Sequence, residues 1–304
     1  MALDQARDVA AHPASPVDDA IDPVEDLAID ARGLGVVMGG TTILDAIDLR
    51  VARGQCIALL GPNGCGKTTF ARCVMGMTPP TSGMLRVLGE TIGRTDVRAL
   101  RRRLAMINPT TDAGAMHRPG AIVDARLTAL DAVCTGFFAT VGLYDRPTQA
   151  QRALAAALLD HVGLADRKGL RFELLSTGQQ RRAMIARSLV RMPEVLILDE
   201  PTAGLDLAGR EQVLATVDRV LGHPDPPAVV MITHHVEEVP RQASRVVLMR
   251  GGRIEVDAPP GEAITPETLT RIFGCKVYVR RVHGRWWTEV LPEAWLELTR
   301  DERA

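Results

Sequence analysis

The sequence predicts an α/β protein whose mainly parallel sheet is covered by helices and interrupted by an inserted helical subdomain. Three observations carry this expectation. Short apolar runs rich in β-branched residues recur at residues 56–60, 104–107, 195–198, 228–232 and 245–249, and a strand buried on both faces reads as such a run. Helical patterns alternate with these runs, as a parallel sheet with crossover helices requires. One stretch, about residues 110–192, is dominated by helical patterns alone.

Taken from the N-terminus, residues 1–26 hold seven acids (Asp4, Asp8, Asp18, Asp19, Asp22, Glu25, Asp26) against Arg7, with Ala and Pro between them. They show no sustained period and read as a disordered acidic leader outside the fold. The leader carries a net −6 of a formal total of −1, which leaves a mild +5 on the rest of the chain. That surplus is too small to announce nucleic-acid binding, and none is expected. Acids and Pro stand where a secretory signal needs a basic and then an apolar run, so a cytoplasmic chain is expected. The longest uncharged apolar stretch, residues 132–144, is well short of the roughly 18 residues of a membrane span, so no direct membrane insertion is expected. The five cysteines form no CxxC pair, which argues against a zinc site or a disulfide framework.

Within the helical stretch, Thr148 and Gln151 form a capping box just after Pro147, followed by an apolar stripe of Leu154, Leu158 and Leu159 ending near Gly163. The tail, residues 276–304, is a separate segment. Residues 276–282 and 285–290 read as two strands joined at His283-Gly284, with all three tryptophans (Trp286, Trp287, Trp295) in or just after them. A small hairpin packing its aromatics on the main domain is favoured over a partner-binding surface.

The chemistry centres on Gly61-Pro62-Asn63-Gly64-Cys65-Gly66-Lys67-Thr68-Thr69, a GxxxxGK[ST] loop that follows a buried-strand run and precedes a helical pattern starting near Thr69. Glycines let the backbone curl around a triphosphate so that its N–H groups and the helix N-terminus face the oxygens. Lys67 adds a mobile charge for the β and γ phosphates, and the Thr68 hydroxyl suits one coordination position of Mg²⁺. The run 195–198 then delivers Asp199 and Glu200 at a strand's C-terminal end, where open α/β sheets place ligands. Asp199 suits Mg²⁺, and Glu200 suits orienting or deprotonating an attacking water.

With Leu175-Ser176-Thr177-Gly178-Gln179 placed so that Ser176 lies 23 residues before Asp199, the sequence resembles the ATP-binding cassette (ABC) ATPases over about residues 30–275. The resemblance implies a P-loop NTPase core with a mainly parallel sheet, a small antiparallel β portion and the inserted helical subdomain, together forming a cassette at 27–275. It implies ATP and Mg²⁺ as ligands. It also implies that Ser176, Gly178 and Gln179 open a helix whose N-terminus faces the γ-phosphate bound by a second copy. Ala203-Gly204-Leu205-Asp206 looks like the family's D-loop, with Asp206 coupling the two sites. Ile232-Thr233-His234-His235 looks like the switch loop, with His234 rather than His235 contacting the γ-phosphate. Two departures stand out: Met38 occupies the place of the adenine-stacking aromatic, and no glutamine follows the run 104–107, where Asn108 or Asp112 would have to substitute.

The family reading makes the chain the ATP-binding and ATP-hydrolysing subunit of a transporter. Two copies would sandwich ATP and pull on membrane-spanning permease subunits from the inner face of the cell membrane. The gap of 109 residues from Lys67 to Ser176 contains no sustained heptads, which argues against relatives that structure chromosomes. Bacterial importer subunits of the iron-complex and molybdate-type branches are similar. The stretch 136–144, rich in aromatics for this chain, is the candidate permease contact, with core packing as the equal alternative. The alternative is a soluble ATP-dependent switch or regulatory protein, motivated by the two altered loops and the tail. A third reading, nucleic-acid binding by Arg280, Arg281 and Arg285 with the tail tryptophans, ranks below both.

Overall fold

The computed structural model describes residues 26–108 and 123–290. Residues 1–25 of the acidic leader, Pro109, Asp112 and Trp295 lie outside the described residues. In chain order, β1 (Leu27–Met38) and β2 (Thr41–Ala52) form a long hairpin, followed by β3 (Cys56–Leu60) and α1 (Lys67–Val74). Next come β4 (Ser82–Val87), β5 (Glu90–Thr91), α2 (Val97–Arg101) and β6 (Leu104–Ile107). Three helices follow: α3 (Ala129–Phe138), α4 (Gln149–His161) and α5 (Thr177–Leu189). The chain returns through β7 (Val195–Asp199), α6 (Leu207–Leu221), β8 (Ala228–Thr233) and a 3-10 turn (Val236–Glu238). It continues as β9 (Arg245–Arg250), β10 (Arg253–Ala258), α7 (Pro260–Ala263), α8 (Pro266–Phe273), β11 (Val277–Val282) and β12 (Arg285–Val290).

The central sheet has the order β10-β9-β3-β8-β7-β6, all parallel except the antiparallel edge strand β10. Each of the apolar runs singled out in the sequence is one of its strands. Their side chains alternate between two cores, as the period of two demands. Ile57, Leu59, Val195, Ile197, Val230 and Ile232 face a cluster shared with α1 and the antiparallel sheet β2-β1-β4-β5. Ala58, Leu60, Leu196, Leu198, Val229 and Met231 face a second cluster with α6 and α8. A third cluster joins α3, α4 and α5 through Ala132, Val133, Ala155, Leu159, Ala183 and Ala186.

Two local readings are refined by the structure. The buried column of α4 is Ala155 and Leu159, whereas Leu154 and Leu158 are half-buried along an apolar groove of about 550 Å³. The Thr148–Gln151 capping box itself is formed. The helix after the phosphate loop begins at Lys67, two residues before Thr69, because Gly66 in a left-handed conformation (φ 104°) serves as its N-cap.

The tail hairpin β11–β12 pairs Val282 with Arg285 around His283-Gly284. It docks on the main body: Trp286 packs against the second core cluster, and Arg285 pairs with Glu211 of α6. Trp287 stays 39% exposed. The arginines have intramolecular partners, Arg280 with Glu289 and Arg281 stacked over Trp286 at 5.1 Å. Among the described residues no helix is long and apolar enough to cross a membrane.

Candidate functional site

The parallel strands end together, and their C-terminal ends define the site. Leu60 of β3 is in register with Thr233 of β8, Asp199 of β7 with Ile232, and Ile107 of β6 with Leu198. The loops leaving β3, β6, β7 and β8 therefore converge on one edge, the position expected of a ligand in an open α/β sheet.

The loop Gly61–Thr69 leaves β3 and is held tightly from behind. A Cβ at Gly61 (φ 154°) would stand 2.2 Å from the Met249 carbonyl oxygen, and one at Gly66 would stand 2.7 Å from a Leu44 methyl and 2.9 Å from the Ile43 carbonyl oxygen. Gly252 N–H donates to the Cys65 carbonyl at 3.2 Å, and Asp45 N–H donates to the Gly252 carbonyl at 2.9 Å, tying the loop to β2 and to the β9–β10 turn. Lys67, 5% exposed, donates from Nζ to the carbonyl oxygens of Gly61 (2.7 Å) and Pro62 (2.9 Å). Among the described residues no carboxylate lies within ion-pair distance of that ammonium. A buried cation without a direct counter-charge is costly, and at a helix N-terminus it marks a place for an anion. Burial pushes the Cys65 thiol above its ordinary pKa, against the nearby Lys67 charge.

Asp199, 2% exposed, accepts from Asn108 Nδ2 at 2.7 Å and from the Thr68 hydroxyl. Burial raises its pKa, the Thr68 and Asn108 hydrogen bonds and the Lys67 charge oppose it, and the Glu200 charge adds to the rise. Asn108 thus occupies the loop after β6 where a glutamine was missing, and it reaches the carboxylate at the end of β7. Glu200 follows in a left-handed conformation (φ 50°), unusual for a residue with a Cβ, and its N–H extends the ladder to the Ile232 carbonyl at 2.8 Å. Its Oε1 lies 3.0 Å from His234 Nδ1. A carboxylate only accepts, so Nδ1 carries the proton, and Nε2 of a neutral ring is left as an acceptor. His235 stacks beside His234 with ring centroids 4.0 Å apart.

The structure thus brings Lys67, Thr68, Asn108, Asp199, Glu200 and His234 to one edge. Ser176, Gly178, Gln179 and Asp206 form a second group. Ser176 caps α5 in a capping box: its hydroxyl accepts from Gln179 N–H at 3.3 Å, and its own N–H donates to Gln179 Oε1 at 2.9 Å. Gly178 is buried, and a Cβ there would stand 3.2 Å from Gly209 Cα at the start of α6. Its need for a small residue therefore has a packing cause within the chain. Asp206 caps α6, accepting from Gly209 N–H at 2.7 Å. Met38 lies at the tip of the β1–β2 hairpin, where it pairs with Thr41 across Gly39-Gly40 and is 44% exposed. A feature absent from the sequence reading is Glu238, a buried carboxylate that accepts from the hydroxyls of Thr202 and Thr233, both at 2.6 Å. Only its position shortly after His234 in the chain signals it.

The family model for the ABC transporter matches residues 44–203. The uncharacterized ABC transporter ATP-binding protein YlmA of Bacillus subtilis is 32% identical over 79% of this chain and 88% of its own length. The phosphonates import ATP-binding protein PhnC 1 of Rhodopseudomonas palustris is 36% identical over 77% of this chain and 82% of its own. The solved structure of cbiO1 from Clostridium perfringens, part of the ABC transporter complex cbiONQ, superposes with a TM-score of 0.68 and 26% identity, covering 81% of this chain and 94% of that one. On its phosphate-loop geometry and on these likenesses, the chain belongs to the ABC transporter family, as an ATP-binding subunit.

Proposed function

We propose that the chain hydrolyses ATP to ADP and phosphate to drive an importer, through closure of two copies around shared nucleotide. The observation that carries this reading is the buried Lys67 ammonium, held by two carbonyls with no carboxylate among the described residues in ion-pair reach, near Asp199 and the Glu200–His234 pair. When an anion arrives, Lys67 exchanges its two carbonyl partners for phosphate oxygens, and the backbone N–H groups of Gly64–Thr69 and the start of α1 add to the cradle. Thr68 and Asp199 offer hard oxygen ligands already hydrogen-bonded to one another, a donor set that fits Mg²⁺. Bound there, Mg²⁺ would neutralise phosphate charge. Glu200 orients the water and takes its proton, while His234 holds Glu200 through Nδ1–H; a bond from Nε2 to a phosphate oxygen requires that nitrogen to carry a proton as well.

The second group, Ser176, Gly178, Gln179 and Asp206, belongs in this reading to the face offered to the other copy. Two capped helix N-termini side by side, those of α5 and α6, supply the aligned N–H groups that such a face needs. Met38, exposed at its hairpin tip, is assigned to the base. We read residues 27–275 as the cassette, with its helical part, within about 110–192, meeting membrane-spanning permease subunits at the cytoplasmic face. Tyr144, 81% exposed, belongs to the stretch proposed for that contact. The import function of the PhnC 1 relative supports transport over a stand-alone switch.

ATP turnover and ATP binding on the same variants test this reading. Lys67→Ala is expected to abolish binding or turnover, and Glu200→Gln to keep binding while turnover falls by at least about 100-fold. Wild-type turnover in either variant would refute the role given to that residue.

A further inference from the structure

The 3-10 turn Val236–Glu238, just after His234, is gripped from both sides. On the inside, Glu238 (2% exposed) accepts from Thr202 Oγ1 on one carboxylate oxygen and from Thr233 Oγ1 on the other, each at 2.6 Å. Thr202 stands two residues after Glu200, and Thr233 immediately precedes His234. Thr233 Oγ1 in turn accepts from His235 N–H at 3.0 Å. On the outside, Glu237 Oε1 accepts from the N–H (3.0 Å) and hydroxyl (2.7 Å) of Thr288 on β12. Arg285 of the same strand donates to the Glu237 carbonyl oxygen at 3.0 Å while it pairs with Glu211.

A carboxylate buried against two hydroxyls is an expensive way to fill space, since an apolar side chain of similar volume would avoid its desolvation. Its geometry offers what an apolar residue would not: one rigid group spanning the two loops that carry Glu200 and His234. We propose that Glu238 is a positioning residue that sets the spacing of the Glu200–His234 pair, with the tail hairpin steadying the turn that carries it. The inference rests on the reading of Glu200 and His234 as the hydrolytic pair. Displacing a reacting group by about 1 Å costs on the order of 100-fold in rate, so the effect falls on turnover rather than on binding.

The test uses the full chain. It measures ATP turnover, affinity for a non-hydrolysable ATP analogue, and the nucleotide-free His234 imidazole resonances, assigned by loss in His234→Ala. Glu238→Ala is expected to lower kcat by about 10- to 100-fold with affinity held within about twofold. Glu238→Gln, which keeps one acceptor oxygen, should fall between Glu238→Ala and wild type. Thr202→Val should lose turnover while Thr202→Ser retains it, and the imidazole resonances should move in Thr202→Val and stay in Thr202→Ser. In a His234→Ala background, Glu238→Gln should cost little further. If Glu238→Ala does not fold, the Gln and Thr202 variants decide. Wild-type turnover in both Glu238→Gln and Thr202→Val, with His234→Ala slow, overturns the positioning role alone. So does a full additional loss from Glu238→Gln in the His234→Ala background. Wild-type turnover in His234→Ala overturns the underlying pair.

Discussion

Two glycines of the phosphate loop have opposite surroundings, and the contrast yields a quantitative prediction. At Gly61 the φ of 154° lies in a region that residues with a Cβ avoid, and an added Cβ would stand 2.2 Å from a backbone oxygen of β9 and 2.9 Å from Cys65 Sγ. At Gly64 the φ of 78° is also left-handed, yet nothing lies within 4 Å of the added Cβ. Gly64→Ala therefore costs about 1–2 kcal/mol of backbone strain. Gly61→Ala adds about 1–3 kcal/mol of overpacking to a strain of about 1–3 kcal/mol. Its total of roughly 2–6 kcal/mol is a large part of a domain's usual stability. Relief to an ordinary contact of 3.4 Å needs the loop to move about 1 Å away from β9, a shift that costs on the order of 100-fold at a reacting centre. Urea unfolding of both variants reads the first effect, and titration with a fluorescent ATP analogue reads the second. Equal unfolding midpoints for Gly61→Ala and Gly64→Ala would show that the back of the loop is not packed as described.

Glu194 offers a pH test of the sheet edge beneath the site. Its carboxylate is held down to about 2, first by the Arg103 hydrogen bond and then by Arg53, against the opposing effect of burial. A depressed carboxylate contributes stability above its unfolded pKa and loses it as pH falls through its folded one, here between about 4.5 and 2. The displacement is nominally worth roughly 3 kcal/mol, but the side chain is 36% exposed and screening reduces this to about 1 kcal/mol. Glu194→Gln should be less stable by that amount at pH 7, with the gap closing near pH 2; a gap that stays constant with pH would contradict the ion-pair origin. Asn108→Ala removes a donor to Asp199, and losses of such outer partners run to about 10-fold or more in metal affinity. The Mg²⁺ concentration for half-maximal turnover should rise by about that factor, and an unchanged Mg²⁺ dependence would remove Asn108 from the site.

The parts of the site legible in sequence share one cause. Strands β3, β7 and β8 are buried on both faces, so each appears as an unbroken apolar run ending at a chemically distinctive residue: Gly61, Asp199 or Thr233. The helix start at Thr148 was equally plain, because a capping box is local in sequence, whereas the start at Ser176 came with the family resemblance. The long strands β1 and β2 were not located, since register shifts between Leu27 and Ile29 and between Ala31 and Val37 break their alternation. In α4 the stripe of Leu154, Leu158 and Leu159 includes the buried Leu159 but not its partner Ala155, because a buried alanine contributes little to an apolar pattern. In α5, Arg181 and Arg182 are buried; Arg182 donates to the Val162 and Gly163 carbonyls, an arrangement that no pattern of polar and apolar letters reports. The strained backbone of Glu200 and the hydroxyl cage around Glu238 arise from contacts between loops far apart in the chain, so neither has a local signature.

Sedimentation velocity of Glu200→Gln, at high protein concentration with and without ATP and Mg²⁺, tests the closure of two copies on shared nucleotide most directly. The account predicts single chains without nucleotide and a stable pair with ATP, lost again when Ser176→Arg is added. A sample that binds ATP yet sediments as single chains at every concentration would contradict it.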